Sequence, residues 1–217
     1  MLAYANALGG VFQFDDYNVI VHNPAVHSLP AWLHSMPGIR PLLKLSYTLN
    51  WILDAGPFGF HLFNIAVHAV NTVLVYRLLH WLGRESTTCG WVPVVGALLF
   101  ALHPVQTEAV TYVSGRSVSL MALFYLSSVL IWLHADRVPN PKPWRMLSAG
   151  LFAAAMLVKE TAVTLPLALL LLDAIRAPQR VTVRQAVHRQ GWHWLVLGAG
   201  VALIAVSPTY RKFLEVG

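Results

Sequence analysis

The sequence predicts an all-α fold, a polytopic membrane helix bundle of about six spans. Three observations carry that prediction. Of its 217 residues, 57% are hydrophobic and only 11% charged, where an ordinary soluble domain has roughly 25% charged residues. Mean hydropathy is +0.58, and the charges gather in short gaps between apolar runs. A net charge of +6 raises the question of nucleic acid, but the bases form no aromatic-interleaved patch, so no nucleic-acid partner is expected. Cys89 is the only cysteine, which excludes an intramolecular disulfide and a thiolate metal cluster.

The chain reads as one transmembrane domain, 1–217. Residues 1–12 are apolar but too short to span, and they lack the basic start and cleavage site of a secretory signal. They read as the remnant of a first span. Residues 13–57 form a long outer loop containing Asp15-Asp16 and a helical stretch, Pro41 to Leu53, whose Leu42, Leu45, Leu49, Ile52 and Leu53 recur at helical spacing. That stretch is expected to lie along the membrane surface and roof a cavity.

Residues 58–207 form the bundle. Phe58 to Gly83 is the first full span. The next begins at Trp91, breaks at His103-Pro104 and continues to Gly115 as a kinked helix entering a cavity. Ser117 to Ala135 is a third span, closed by a basic turn holding Pro139, Pro141 and Pro143. Met146 to Leu172 is one apolar run interrupted by Lys159-Glu160. As a single helix it buries both charges near the midplane; as a hairpin of two short helices it places them at the tip.

Charge counting selects the hairpin. It puts nine of the 15 basic residues and three acids on the inner side (Arg77, Arg84, Arg137, Lys142, Arg145, Arg176, Arg180, Arg184 and Arg189 against Glu85, Asp136 and Asp173), leaving six of each outside. Gly191 to Ser207 is the last span and 208–217 a tail. The Asp-Asp loop then faces away from the cytoplasm.

Asp15 and Asp16 follow Phe12 and Phe14 where the chain leaves the membrane. A carboxylate at a lipid boundary gains basicity by desolvation and can take the proton from an attacking hydroxyl; an Asp pair also caps turns. His61, Asn64, His68 and Asn71 draw a polar stripe down one face of the first full span, suited either to hydrogen bonds between helices or to ligand contact. Arg40, Lys44, Arg116 and Lys159, with Glu108 and Glu160, gather charge at the outer interface. They suit an anionic lipid phosphate with a polar headgroup, or internal ion pairs such as Arg116 with Glu108. No HExxH and no completing carboxylate points to zinc or iron, and use of a divalent ion is left open.

Five segments in order, FQFDDYNVIVHNPAV, IRPLLKLSYTLNW, PFGFHLFNIAVHAVN, LFALHPVQTEAVTYVSGR and LVKETAVTLPLALLLLD, resemble the transmembrane part of the TMTC-type proteins, transmembrane and tetratricopeptide-repeat O-mannosyltransferases with bacterial relatives. The resemblance implies a GT-C-like bundle in a bacterial inner membrane or, in a eukaryote, the endoplasmic reticulum. It implies transfer of a sugar, mannose in animal members, from a polyprenyl-phosphate donor to an acceptor hydroxyl on a protein or glycan. Asp15 or Asp16 would be the base. By their charge, Arg116, Lys159 and Arg40 would hold the donor phosphate, with Lys44 beside them in the substrate-binding set, where fixed cations stabilise the leaving charge. Glu108, Glu160, His61 and His103 complete the expected substrate-binding set.

The sequence departs from the family in carrying Ser117-Val118-Ser119 where relatives have an acid after the GR pair. The family also has roughly twice this many helices and a repeat domain, so the chain is expected to be a fragment, a degenerate copy or half of a split enzyme completed by a second chain. Two other classes fit the polar stripes. A transporter component should show internal repeats, and none is visible; a non-catalytic scaffold would keep the bundle for docking.

Overall fold

The computed structural model describes residues 2–36, 38–83, 90–176 and 182–206, and every regular element among them is helical. Arg84, Glu85, Cys89, Arg180, Ser207 and the 208–217 tail lie outside the described residues. The α-helices are α1 (Leu29–His34), α2 (Pro41–Ile52), α3 (Gly56–Gly83), α4 (Val92–Leu102), α5 (Gln106–Thr111), α6 (Arg116–Ala135), α7 (Lys142–Val158), α8 (Leu165–Arg176), α9 (Val183–Arg189) and α10 (Gly191–Val206). Leu2–Gly9, the expected remnant of a span, is a 3-10 helix.

Proline sets several of these boundaries. It stands in the first turn of α1, α2, α4 and α7, where a missing N–H costs nothing. Pro104 forces His103 to an extended ψ of 131° and ends α4. The interruption at Lys159-Glu160 has the same root. A helix continuing from α7 would meet Pro166, which has no N–H for the Ala162 carbonyl and whose ring clashes with it. Instead α7 stops at Val158, Lys159 is extended at φ −153°, a 3-10 turn spans Glu160–Thr164, and α8 restarts.

The helices run alternately up and down. Phe60 (α3), Leu120 (α6) and Val158 (α7) share one core with Tyr47 and Val113. Toward the opposite ends of α3 and α6, Trp81 flanks and Leu133 joins another core with Trp132, Leu165, Leu169 and Phe152, the last lying before Val158 on α7. Since α8 ends with Arg176 bonded to Asp136, just ahead of α7, the α7–α8 pair is a hairpin with its tip at the Phe60 end. α3 packs on α4 and α6, α6 on α7, and α7 on α10, while α2 lies across α3, α6 and α7.

Among the described residues, α3 with 28 and α6 with 20 residues are long and apolar enough to cross a membrane; α4 and Gly191–Leu203 are shorter apolar helices. Val94, Leu98 and Leu102 of α4 and Leu195, Val201 and Leu203 of α10 face outward, leaving exposed apolar side chains along both shorter helices.

The polar stripe of α3 is buried throughout. Asn64 donates to the Tyr112 carbonyl at 3.2 Å, Asn71 to the Ser119 carbonyl at 2.8 Å, and His68 Nε2 lies 3.1 Å from the Ala101 carbonyl. Three of the four residues therefore bond helix to helix. His61 does not.

Candidate functional site

The turn carrying the two aspartates is strained and then stapled down. Phe14 adopts a left-handed φ of 44°, uncommon for a bulky residue and most often kept where a site requires it. Its ring, 83% exposed, meets Tyr112 edge-on. Asp16 is 1% exposed. Its Oδ1 accepts from the Ser114 N–H at 2.9 Å and from the Ser114 hydroxyl, and its Oδ2 accepts from the Gln13 N–H at 3.0 Å. Asp15 points the other way: its side chain is exposed, and its N–H donates to the Tyr112 hydroxyl at 3.1 Å. One acid is thus committed to holding the loop against residues 112–114, and the other is presented to solvent.

Beside this turn lies a cavity of about 450 Å³ whose lining includes Gly10, Gln13, Phe14, His61, Glu108 and Tyr112. His61 is 3% exposed, yet neither ring nitrogen reaches a protein partner at full hydrogen-bonding geometry, with the Thr111 backbone nearby. A buried imidazole left in that state is unusual. Gly10 packs so closely that a Cβ there would stand 2.8 Å from His61 Nε2; a side chain at that position would push the ring aside. Glu108, in the first turn of α5, is exposed and has no ion pair among the described residues.

Arg116 is not placed to meet a ligand. It is 0% exposed, and its guanidinium donates to Asn64 Oδ1 at 2.7 Å, the Ser46 carbonyl at 3.1 Å and the Phe60 carbonyl at 3.0 Å. The rings of Tyr47, Phe60 and Phe63 surround it. Its long donor fork ties the starts of α3 and α6 to α2, so the phosphate contact expected from its charge gives way to an interior strut. The alternative pairing with Glu108 does not form among the described residues. His103 also stands apart: its Nδ1 accepts from the Val105 N–H at 3.2 Å, and it lines a different, apolar cavity with Leu99 and Leu102.

The other cations do gather. Arg40, in a left-handed conformation at φ 51° ahead of α2, grips Glu160 with Nε and Nη2, each 2.9 Å from a carboxylate oxygen. Lys159 is the neighbouring residue, and Lys44 sits one turn into α2, where burial lowers the basicity of its amine. Tyr47, one further turn along, is pushed up to about 12 by burial, against the opposing charge of Arg116, with the Asp16 charge adding to the rise and that of Arg40 reducing it. It therefore stays a neutral phenol between the cations and the aspartate turn.

Burial by itself raises the Glu160 carboxyl, but hydrogen bonds from Arg40 and its own backbone, with the charges of Arg40 and Lys159, hold it below the usual carboxylate range. A depressed carboxylate stabilises the fold above its unfolded-state pKa, and that contribution disappears as pH falls through the folded value. Glu160→Gln should accordingly lower stability at neutral pH by less than about 1 kcal/mol for so exposed a pair, with a correspondingly small drop in Tm. The deficit should vanish in acid, as read by thermal scans across pH.

Sequence reasoning missed Gln13, Tyr112 and Ser114. The only signal was proximity: Tyr112 and Ser114 lie just ahead of Gly115-Arg116, whose charge is the more conspicuous feature.

Comparison with known proteins gives a consistent set of relatives. Over 195 residues the chain is 35% identical to the protein O-mannosyl-transferase Tmtc2 of Drosophila melanogaster, covering 80% of this chain and 20% of that one. It is 34% identical over 196 residues to the human protein O-mannosyl-transferase TMTC4, covering 76% and 26%. To the mouse protein O-mannosyl-transferase TMTC3 it is 33% identical over 180 residues, covering 74% and 19%. The chain thus spans about a fifth to a quarter of the length of these relatives. No protein-family model matches it, and no solved structure does.

Proposed function

Because the chain belongs to the TMTC-type family of protein O-mannosyltransferases, we propose that it builds the acceptor-activating part of a membrane glycosyltransferase centre. In this reading a mannosyl group passes from a polyprenyl-phosphate donor to a hydroxyl on a protein. The observation that carries it is the division of labour in the aspartate turn. Asp16 has both carboxylate oxygens engaged, whereas Asp15 engages only its backbone and is exposed. Asp15 takes the proton of the acceptor hydroxyl as its oxygen attacks the anomeric carbon, and the bond from that carbon to the phosphate breaks. The polyprenyl phosphate leaves with the bonding electrons, and the proton remains on Asp15.

The cavity beside the turn receives the acceptor. His61 supplies ring nitrogens that meet no partner among the described residues at full hydrogen-bonding geometry, and Glu108 supplies an acceptor for a neighbouring donor. Lys44, Lys159 and the Arg40–Glu160 pair form the cationic side that meets the leaving phosphate. The membrane arrangement that suits this is a GT-C-like bundle of about six membrane helices. Its Asp16 end faces away from the cytoplasm, in a bacterial inner membrane or the endoplasmic reticulum. Further helices that enclose the lipid donor come from the rest of a longer protein or from a second chain.

The reading is tested by incubating membranes containing the chain together with those further helices, as the longer protein or with its second chain, with radiolabelled polyprenyl-phosphate mannose and a protein acceptor. Label should appear in the acceptor, and His61→Leu should raise the acceptor KM at least about tenfold, the scale of one lost buried hydrogen bond, with Tm preserved. Absence of label with folded, unmutated chain would overturn the transferase reading; label with a KM unmoved by His61→Leu would remove the cavity from it.

A further inference from the structure

At the end of the bundle opposite Asp16, the carboxylate of Asp136 gathers three guanidiniums. Arg176 lies 3.2 Å and Arg145 3.6 Å from it, and Arg189 closes on the same Oδ1 as Arg145. Arg189 also stands 4.0 Å from Asp173. Arg137 and Arg176 both lie over the Trp81 ring, and Lys142 begins α7 beside them. Five cations therefore stand around two carboxylates, three of them paired, and the cluster keeps a positive excess that its own acids do not neutralise.

That excess opens into a cavity of about 420 Å³ lined by Lys142, Arg145, His188, Arg189, Trp192 and Leu195, with Gly191. Lys142 is exposed and makes no ion pair among the described residues. Two helices, α7 of 17 residues and α10 of 16, begin at the cavity, so the positive ends of both dipoles add to the side-chain charge. The wall is not uniformly polar: Trp192 and Leu195, one turn apart on α10, are exposed and apolar, as residues at a lipid headgroup boundary commonly are.

We propose that this cavity binds a phosphate-bearing headgroup, with the phosphate held by Lys142, Arg145 and Arg189 and the hydrocarbon of an anionic lipid laid along Trp192 and Leu195. A free phosphate would satisfy the cations but leave the apolar wall exposed; a phospholipid uses both. The site lies at the far end of the helices from the aspartate turn and does not depend on the transferase reading.

The test titrates the detergent-solubilised chain with phosphatidylglycerol, phosphatidylcholine and inorganic phosphate. It follows Tm, and tryptophan quenching by brominated forms of both lipids. Phosphatidylglycerol should raise Tm and quench at lower concentration than phosphatidylcholine. Lys142→Gln, at an exposed position outside the Asp136 pairs, should weaken phosphatidylglycerol about fivefold and leave phosphatidylcholine unchanged. Trp192→Leu should remove most of the difference in quenching, which places the lipid at this cavity. Competition by inorganic phosphate would support the phosphate chemistry and identify free anion as a second source. Equal curves for the two lipids, or a phosphatidylglycerol curve unmoved by Lys142→Gln, would overturn the proposal.

Discussion

Asp15→Asn should reduce mannosyl transfer by about a hundred- to ten-thousand-fold, the usual contribution of a positioned general base, while Tm stays unchanged. The asymmetry of the turn is the reason. Among the described residues Asp15 makes no side-chain hydrogen bond that the amide would lose, and its link to the rest of the site there is its backbone N–H on Tyr112. Asp16→Asn behaves differently. The Asp16 carboxylate faces two backbone N–H groups and a hydroxyl, and an amide must turn its NH₂ toward one of those N–H donors. Leaving a buried donor unpaired costs about 1–3 kcal/mol, so Asp16→Asn should lose transfer and Tm together, and Ser114→Ala should reproduce a smaller part of that loss. Transfer and thermal scans on the three variants separate the roles. An Asp15→Asn variant with full activity beside an inactive, undestabilised Asp16→Asn would reverse the assignment.

How much of this was legible depended on whether the information lay along the chain or across it. The inward stripe of α3 is a matter of period, so His61, Asn64, His68 and Asn71 could be read as buried. Their partners could not, because the Tyr112, Ala101 and Ser119 carbonyls arrive from other helices. The hairpin was readable from two charges inside an apolar run, and Pro166 supplies its physical cause. The crossing count was less accessible: the interruptions at His103-Pro104 and Lys159 were visible, yet among the described residues two helices keep crossing length. Charge misled most at Arg116. A cation near an interface suggests a phosphate, whereas a cation ringed by carbonyls and aromatic faces is a fastener, and the difference lies in contacts 52 to 70 residues away in sequence. The Asp136 cluster was hidden for the same reason, its three arginines being 9, 40 and 53 positions further along the chain.

Arg116→Lys should destabilise the bundle by on the order of 3 kcal/mol, as removals of buried charged partners do. It should do so without a selective effect on donor binding. The guanidinium serves three acceptors from α2 and α3 at once, Asn64 Oδ1, the Ser46 carbonyl and the Phe60 carbonyl. Its planar face lies 4.3 Å from the Phe63 ring centre and 5.0 Å from that of Tyr47. An ammonium cannot reproduce that fork or the stacking. Arg116→Met removes the desolvated charge but leaves the same acceptors unpaired, so it should be no better tolerated by itself. Combined with Asn64→Leu, which removes one orphaned acceptor along with the Asn64 bond to Tyr112, it should recover only part of the loss. Thermal scans with a double-mutant cycle measure that coupling. A variant that kept its Tm but lost affinity for the lipid-phosphate donor would place Arg116 at the donor after all. A loss of Tm whose donor affinity returns under stabilising conditions is the outcome the buried geometry requires.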